Sequence, residues 1–174
     1  MTRYALVIFD LDGTLTSLRL SPVHDAPLIP LPNVMRELTA FSADAVTLAL
    51  ATNQITGRFR GHPYTNAVIG ERLDDLAVLL PMLPRHLMRV GKPGTEDWKP
   101  RPGMLVKLLE DSWADRQSTL FVGDSESDRR AADNASVAFR WAWDFFSWPN
   151  GQADRSIDWR ARGSSIWRKA QDSR

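Results

Sequence analysis

Apolar residues in this chain follow two alternating patterns. Short runs, from Tyr4 to Phe9, Ala45 to Ala51, Leu87 to Val90 and Thr119 to Val122, have the length of strands, and Tyr4 to Phe9 is a continuous apolar run as a strand buried on both faces should be. Between them the apolar residues recur near a 3.6-residue period. Pro32 and Asn33 open a helical stretch to about Ala43, with Val34, Leu38 and Phe41 on one side. A second runs from Asn66 to Leu83 on Val68, Ile69, Leu73, Leu76, Leu79 and Leu80, and a third begins near Pro102 with Met104, Leu105, Leu108 and Leu109. Ser125 to Ala135 reads as a fourth. Strands alternating with helices predict an α/β fold, a parallel sheet covered by helices on both faces.

The alternation ends near Phe139. Beyond it Trp141, Trp143, Trp148, Trp159 and Trp167 crowd together, and Arg155, Arg160, Arg162, Arg168, Lys169 and Arg174 outnumber the acids. This divides the chain into a core over 1–150 and a basic, Trp-containing segment over 151–174. At 174 residues the core is large enough to fold without staples. With 43% hydrophobic and 25% charged residues, disorder, collagen and a coiled-coil rod are excluded. The chain has no cysteine, which excludes disulfides, thiolate metal sites and a cysteine nucleophile. A net charge of +1 neither demands nor forbids an anionic partner. No apolar run has the length of a signal peptide or a membrane span, so the expectation is a soluble, cytoplasmic protein with no membrane partner.

Ligands of open parallel sheets sit outside the carboxyl ends of the strands. After the first strand stand Asp10 and Asp12 in FDLDGTLT, followed by Gly13; after the second stands Thr52 in ALATNQ; after the fourth stand Asp124 and Asp128 in GDSESD. Lys99, in WKPRPGM, precedes a helix start. Two carboxylates about 4 Å apart repel by about 4 kcal/mol at an effective dielectric near 20, and one lysine does not offset several such pairs. A hard divalent cation does, and Mg²⁺ is the usual one where phosphate is bound. His24, His62 and His86 are scattered and suggest no imidazole zinc site.

With Mg²⁺ in place, each residue has a chemical role. Asp10 is placed to attack phosphorus and form an aspartyl-phosphate, and Asp12 to serve as general acid and base. Thr52 would hold phosphoryl oxygens, Lys99 would neutralise the transferring group, and Asp10, Asp12, Asp124 and Asp128, the last directly or through water, would hold the metal. Singly each has a structural reading: Asp-Leu-Asp-Gly is good turn chemistry, Thr52 a helix cap, Lys99 a solvated charge and GDSESD a helix start. Their order along the chain, each at a strand end or helix start, points to catalysis.

At these residues the sequence resembles the haloacid dehalogenase superfamily of phosphohydrolases, through FDLDGTLT, Thr52, Lys99 and GDSESD, over Tyr4 to about Phe146. The resemblance implies a Rossmann-like fold and Mg²⁺-dependent phosphomonoester hydrolysis through Asp10. TNQ after the second strand and KPRPGM around Lys99 are similar to the branch holding histidinol phosphatase, heptose bisphosphate phosphatase and the polynucleotide 3′-phosphatases. The intervals from Asp12 to Thr52 and from Thr52 to Lys99 hold helix and strand but no large cap domain. The heptose and histidinol members often carry a cysteine-rich zinc loop, which this chain lacks.

The stretch from Asp128 to Trp148 is similar to the segment closing the 3′-phosphatase domain of polynucleotide kinase-phosphatases, with no Walker A sequence beside it. An uncapped rim, the basic loop GRFRGH with Arg58 and Arg60, Arg101 beside Lys99, and the Arg- and Trp-bearing tail favour a phosphate on a nucleic-acid end or nucleotide. Asn53, Gln54, Arg58, Arg60 and Arg101 are the candidate substrate contacts. The alternatives are a small sugar or amino-alcohol phosphate as substrate, or a non-catalytic phosphate-binding protein.

Overall fold

A computed structural model of the protein describes residues 4–17, 28–59 and 62–148. Its framework is one five-stranded sheet of β1 (Leu6–Phe9), β2 (Thr47–Asn53), β5 (Met88–Gly91), β6 (Thr119–Gly123) and β7 (Ala138–Trp141), in the order β5-β2-β1-β6-β7. Every pairing is parallel. A small antiparallel hairpin, β3 (Gly57–Phe59) with β4 (His62–Tyr64), stands apart from it. The helices are α1 (Val34–Ala43), α2 (Asn66–Leu79), α3 (Gly103–Ser112), α4 (Glu126–Ala135) and the short α5 (Ala142–Phe145).

Parallel strands buried on both faces need apolar side chains on both, and β1 supplies them in alternation. Val7 and Phe9 face a core completed by Val34 and Leu38 of α1, Val68, Ile69, Leu73 and Leu76 of α2, and Phe145 and Phe146. Leu6 and Ile8 face the opposite core, with Met104, Leu105 and Leu108 of α3 and Ala131, Ala132 and Ala135 of α4. The sheet is thus the middle of three layers, the Rossmann-like arrangement expected from the alternation.

Three elements differ from the sequence reading. Helix α2 stops at Leu79 rather than Leu83, because Pro81 both lacks an N–H and disfavours helical backbone at Leu80; Leu80 and Leu83 remain buried beyond the helix end. The GRFRGH segment is the β3–β4 hairpin, in the register Gly57↔Tyr64, rather than an open loop. Alternation also continues one strand further, to β7, an edge strand whose Ala138 and Arg140 are exposed.

Tryptophans after β7 close the molecule. Trp148 is 7% exposed and stacks on Phe146 at 5.3 Å between ring centres, and its Nε1 donates to the Pro32 carbonyl at 2.7 Å. Asn33, in the left-handed region at φ 66°, donates from Nδ2 to the Phe146 carbonyl at 2.8 Å. Both bonds tie the start of α1 to the end of the described chain. Trp143 packs against the same core and stacks on Trp141 at 4.5 Å. Residues 151–174, the separate basic segment of the sequence reading, lie outside the described residues.

Trp148→Ala is expected to lower the unfolding free energy by about 3 kcal/mol, as loss of a buried aromatic does. Urea unfolding measures it; a change below about 0.5 kcal/mol would show that Trp148 does not close the core.

Candidate active site

The chain order explains where a site forms. From β1 the chain moves to β2 and β5 on one side, then crosses to β6 and β7 on the other, so the connections diverge between β1 and β6. Open α/β sheets bind ligands at such a switch point, beyond the strand ends. Phe9 is in register with both Leu50 and Val122, so Asp10 leaves the sheet beside Ala51 and Gly123. Its own N–H donates to the Val122 carbonyl at 2.9 Å. Thr52 lies within β2, which pairs with β5 as far as Asn53 and Gly91.

Lys99 arrives from the loop before α3. Asn53 holds its main chain from both sides: Oδ1 accepts from the Lys99 N–H at 3.1 Å and Nδ2 donates to the Lys99 carbonyl at 3.2 Å. The ammonium, 3% exposed, then meets Asp10 Oδ1 at 2.6 Å, Asp128 Oδ1 at 2.6 Å and the Ala51 carbonyl at 3.0 Å. Asp128 is fixed by α4 itself: its Oδ2 accepts from the Ser125 N–H at 3.0 Å and the Ser125 hydroxyl at 2.5 Å in a capping box. Asp124, half-buried, lies against Gly13. A Cβ at that glycine would approach Asp124 Cγ to 2.9 Å, and φ there is 89°, so both contact and conformation require glycine.

Asp10, Asp124 and Asp128 each offer a carboxylate oxygen, and these lie within 4.8 Å of one another. With Lys99 the group holds three acids to one base. Burial pushes the Asp10 carboxyl up to about 8, against the attraction of Lys99 and reinforced by Asp128 and Asp124. Asp124 is raised to about 6, first by burial and then by Asp128. Burial opposes the charge on Lys99, but Asp10 and Asp128 outweigh it and hold its pKa above the ordinary lysine value. An all-oxygen donor set whose acids resist ionising for want of positive charge fits a hard divalent cation.

Asp12 stands outside that acidic group, although it was expected among the metal ligands. It is half-buried, and its Oδ2 accepts from Gln54 Nε2 at 2.8 Å. Gln54, read from sequence as a substrate contact, is buried with its amide turned to Asp12, Thr52 and Tyr64. Asn53 serves Lys99, as above. The Arg101 guanidinium donates to the Gly94 and Thr95 carbonyls at 3.2 and 3.1 Å. Arg58 lies on β3, and Arg60 lies outside the described residues. Sequence reasoning missed Ser125 and Tyr64. A Ser three residues before Asp128 is a capping-box signal open to inspection; Tyr64 left no such sign.

The comparisons with known proteins agree with this architecture. The haloacid dehalogenase-like hydrolase family matches residues 88–142, from β5 through Lys99 and Asp124 to the start of α5. Over 150 residues the chain is 27% identical to D-glycero-β-D-manno-heptose-1,7-bisphosphate 7-phosphatase of Mesorhizobium japonicum, spanning 79% of this chain and 69% of that protein. The crystal structure of D,D-heptose 1,7-bisphosphate phosphatase from B. bronchiseptica, complexed with magnesium and phosphate, matches with a TM-score of 0.64 at 26% identity, over 77% of this chain and 78% of that one. A candidate HAD-like phosphatase from Mesorhizobium loti matches in fold, with a TM-score of 0.64 at 19% identity, over 84% and 86% of the two chains. Over residues 88–142 the chain is similar to the haloacid dehalogenase-like hydrolases, and it is a phosphatase. Among the described residues there is no large cap, and only the hairpin intervenes between β2 and α2.

The raised carboxyls have a consequence for stability. A folded state that keeps a proton the unfolded chain has lost is favoured fully below the ordinary value of 3.8, and that advantage disappears as pH rises towards about 8 for Asp10 and about 6 for Asp124. In EDTA, the difference in unfolding free energy between wild type and Asp10→Asn is expected to shift in favour of the variant between about pH 5 and about pH 8. Urea unfolding at both pH values measures it, and a difference independent of pH would contradict the assigned environment of Asp10.

Proposed function

We propose that this phosphatase is a Mg²⁺-dependent phosphomonoesterase working through an aspartyl-phosphate on Asp10, and that its substrate is a small sugar phosphate of the heptose bisphosphate kind. The observation that carries the chemistry is Asp10 beside the Lys99 ammonium at 2.6 Å and within 4.8 Å of the Asp124 and Asp128 oxygens. The likeness to two heptose bisphosphate phosphatases, one holding magnesium and phosphate, supports the substrate class and the metal.

In this reading Asp10, Asp124 and Asp128 would hold Mg²⁺. Asp128, whose oxygens are engaged by Lys99 and Ser125, would do so directly or through water. The ion supplies positive charge to the phosphoryl oxygens and offsets the repulsion among the acids. Lys99 holds Oδ1 of Asp10, and the other oxygen attacks phosphorus. As the bond to the leaving oxygen breaks, Asp12 gives that oxygen its proton. Water then attacks the phosphorus of the aspartyl-phosphate and passes a proton to Asp12, which releases inorganic phosphate and restores Asp10. Thr52 contacts the phosphoryl oxygens, and the charge of Lys99 beside Asp10 offsets theirs.

The nucleic-acid preference expected from sequence has less to stand on. Trp148 is packed in the core, Arg101 is engaged by its own loop, and the comparisons point to a sugar phosphate. No helix among the described residues is long and apolar enough to cross a membrane.

Asp10→Asn is expected to lower kcat by at least about 10³-fold, as removal of a nucleophile does, and EDTA to abolish turnover reversibly. The substrate test compares heptose 1,7-bisphosphate, other sugar phosphates and a 3′-phosphorylated oligonucleotide by phosphate release. The heptose bisphosphate should give the highest kcat/KM. Turnover of the oligonucleotide alone would overturn the substrate assignment, and full activity of Asp10→Asn would overturn the nucleophile.

A further inference from the structure

Gln54 is 4% exposed, and its amide is bonded on both sides. Nε2 donates to Asp12 Oδ2 at 2.8 Å and to Thr52 Oγ1 at 2.9 Å, while Oε1 accepts from the Tyr64 hydroxyl at 2.9 Å. A primary amide has two N–H donors on one side and an acceptor on the other. Here both donors serve residues of the site and the acceptor faces the hairpin. Turned through 180°, the amide would set its carbonyl against the Asp12 carboxyl and the tyrosine would have to accept. The Asp12 oxygen, an acceptor, selects the observed direction, and the buried Tyr64, on β4 and packed in the core with Val68 and Ile69, holds the far end of the amide.

The geometry points to Gln54 as a positioning residue, held by Tyr64, that orients the Asp12 carboxyl and the Thr52 hydroxyl; this rests on the roles given to those two residues under the proposed function. With Oδ2 held by that amide, the Asp12 carboxyl keeps one orientation beside Thr52. Thr52 Oγ1, already accepting from the same amide, keeps its own O–H for donation, which is the polarity a phosphoryl oxygen requires. Gln54 itself exchanges no proton. The hairpin acts on the chemistry through this one side chain.

A group that positions the acid matters most where the leaving group is poor. Phenyl phosphate and p-nitrophenyl phosphate are close in shape, and phenolate is the poorer leaving group. With the full chain and Mg²⁺, Tyr64→Phe is expected to lower kcat/KM for phenyl phosphate about three- to tenfold, the range for loss of one hydrogen bond, with a smaller fall for p-nitrophenyl phosphate. Gln54→Leu should show the same selectivity more strongly and weaken inhibition by inorganic phosphate. Asp12→Asn serves as reference, and thermal unfolding checks that each variant folds. Equal losses on both substrates in Tyr64→Phe and Gln54→Leu, beside a selective loss in Asp12→Asn, would overturn the inference and leave the proposed function standing. Unselective loss in Asp12→Asn would remove the acid itself, and the inference with it.

Discussion

Three carboxylates share one ammonium in the interior of this protein, and the rest of the site is arranged around that imbalance. Like charges a few ångströms apart in a partly dry environment repel by several kcal/mol, and a single cation between two of them leaves the third unbalanced. The raised Asp10 and Asp124 carboxyls are the mark of that shortage. An arrangement of this kind is poor for the stability of the protein alone. It suits binding, because a dication and a phosphoryl group together complete the charge balance.

Topology makes the crowding possible. Central strand β1 delivers Asp10 between β2 and β6, where the two halves of the chain part, and β6 leads into α4, whose first turn holds Asp128 through Ser125. Lys99 comes from outside the sheet and depends on Asn53, two residues beyond the level of Asp10, to fix its main chain. The acids are thus held by strand ends and a helix start, with little freedom to separate. Gly13 and Asp124 show how close the fit is, since even a methyl group has no room between them.

Much of this was legible in the sequence. Short, mainly apolar runs located four of the five strands of the sheet, because strands covered on both faces carry few polar residues to interrupt them. Asp10, Thr52, Lys99, Asp124 and Asp128 were legible as a set from their places at strand ends and helix starts. Edge strand β7 was harder to see, because exposed Arg140 and Ala138 break its apolar character. The end of α2 turned on Pro81, a local breaker that the leucine stripe outweighed in the reading. Gln54 was placed with the substrate contacts because it follows Thr52 and Asn53. Its amide is held by Tyr64, a partner brought by a hairpin that periodicity did not reveal. Arg101 likewise stands beside Lys99 in sequence, yet its bonds are to its own loop.

The claim that the acids lack a counter-charge is tested most directly by calorimetric titration of Mg²⁺ near neutral pH in two buffers of different ionisation enthalpy. Binding should be saturable and should release protons, because Asp10 has to give up the proton that burial and its neighbours let it keep. Saturable binding with no proton release, or no binding at all, would contradict this account of the site.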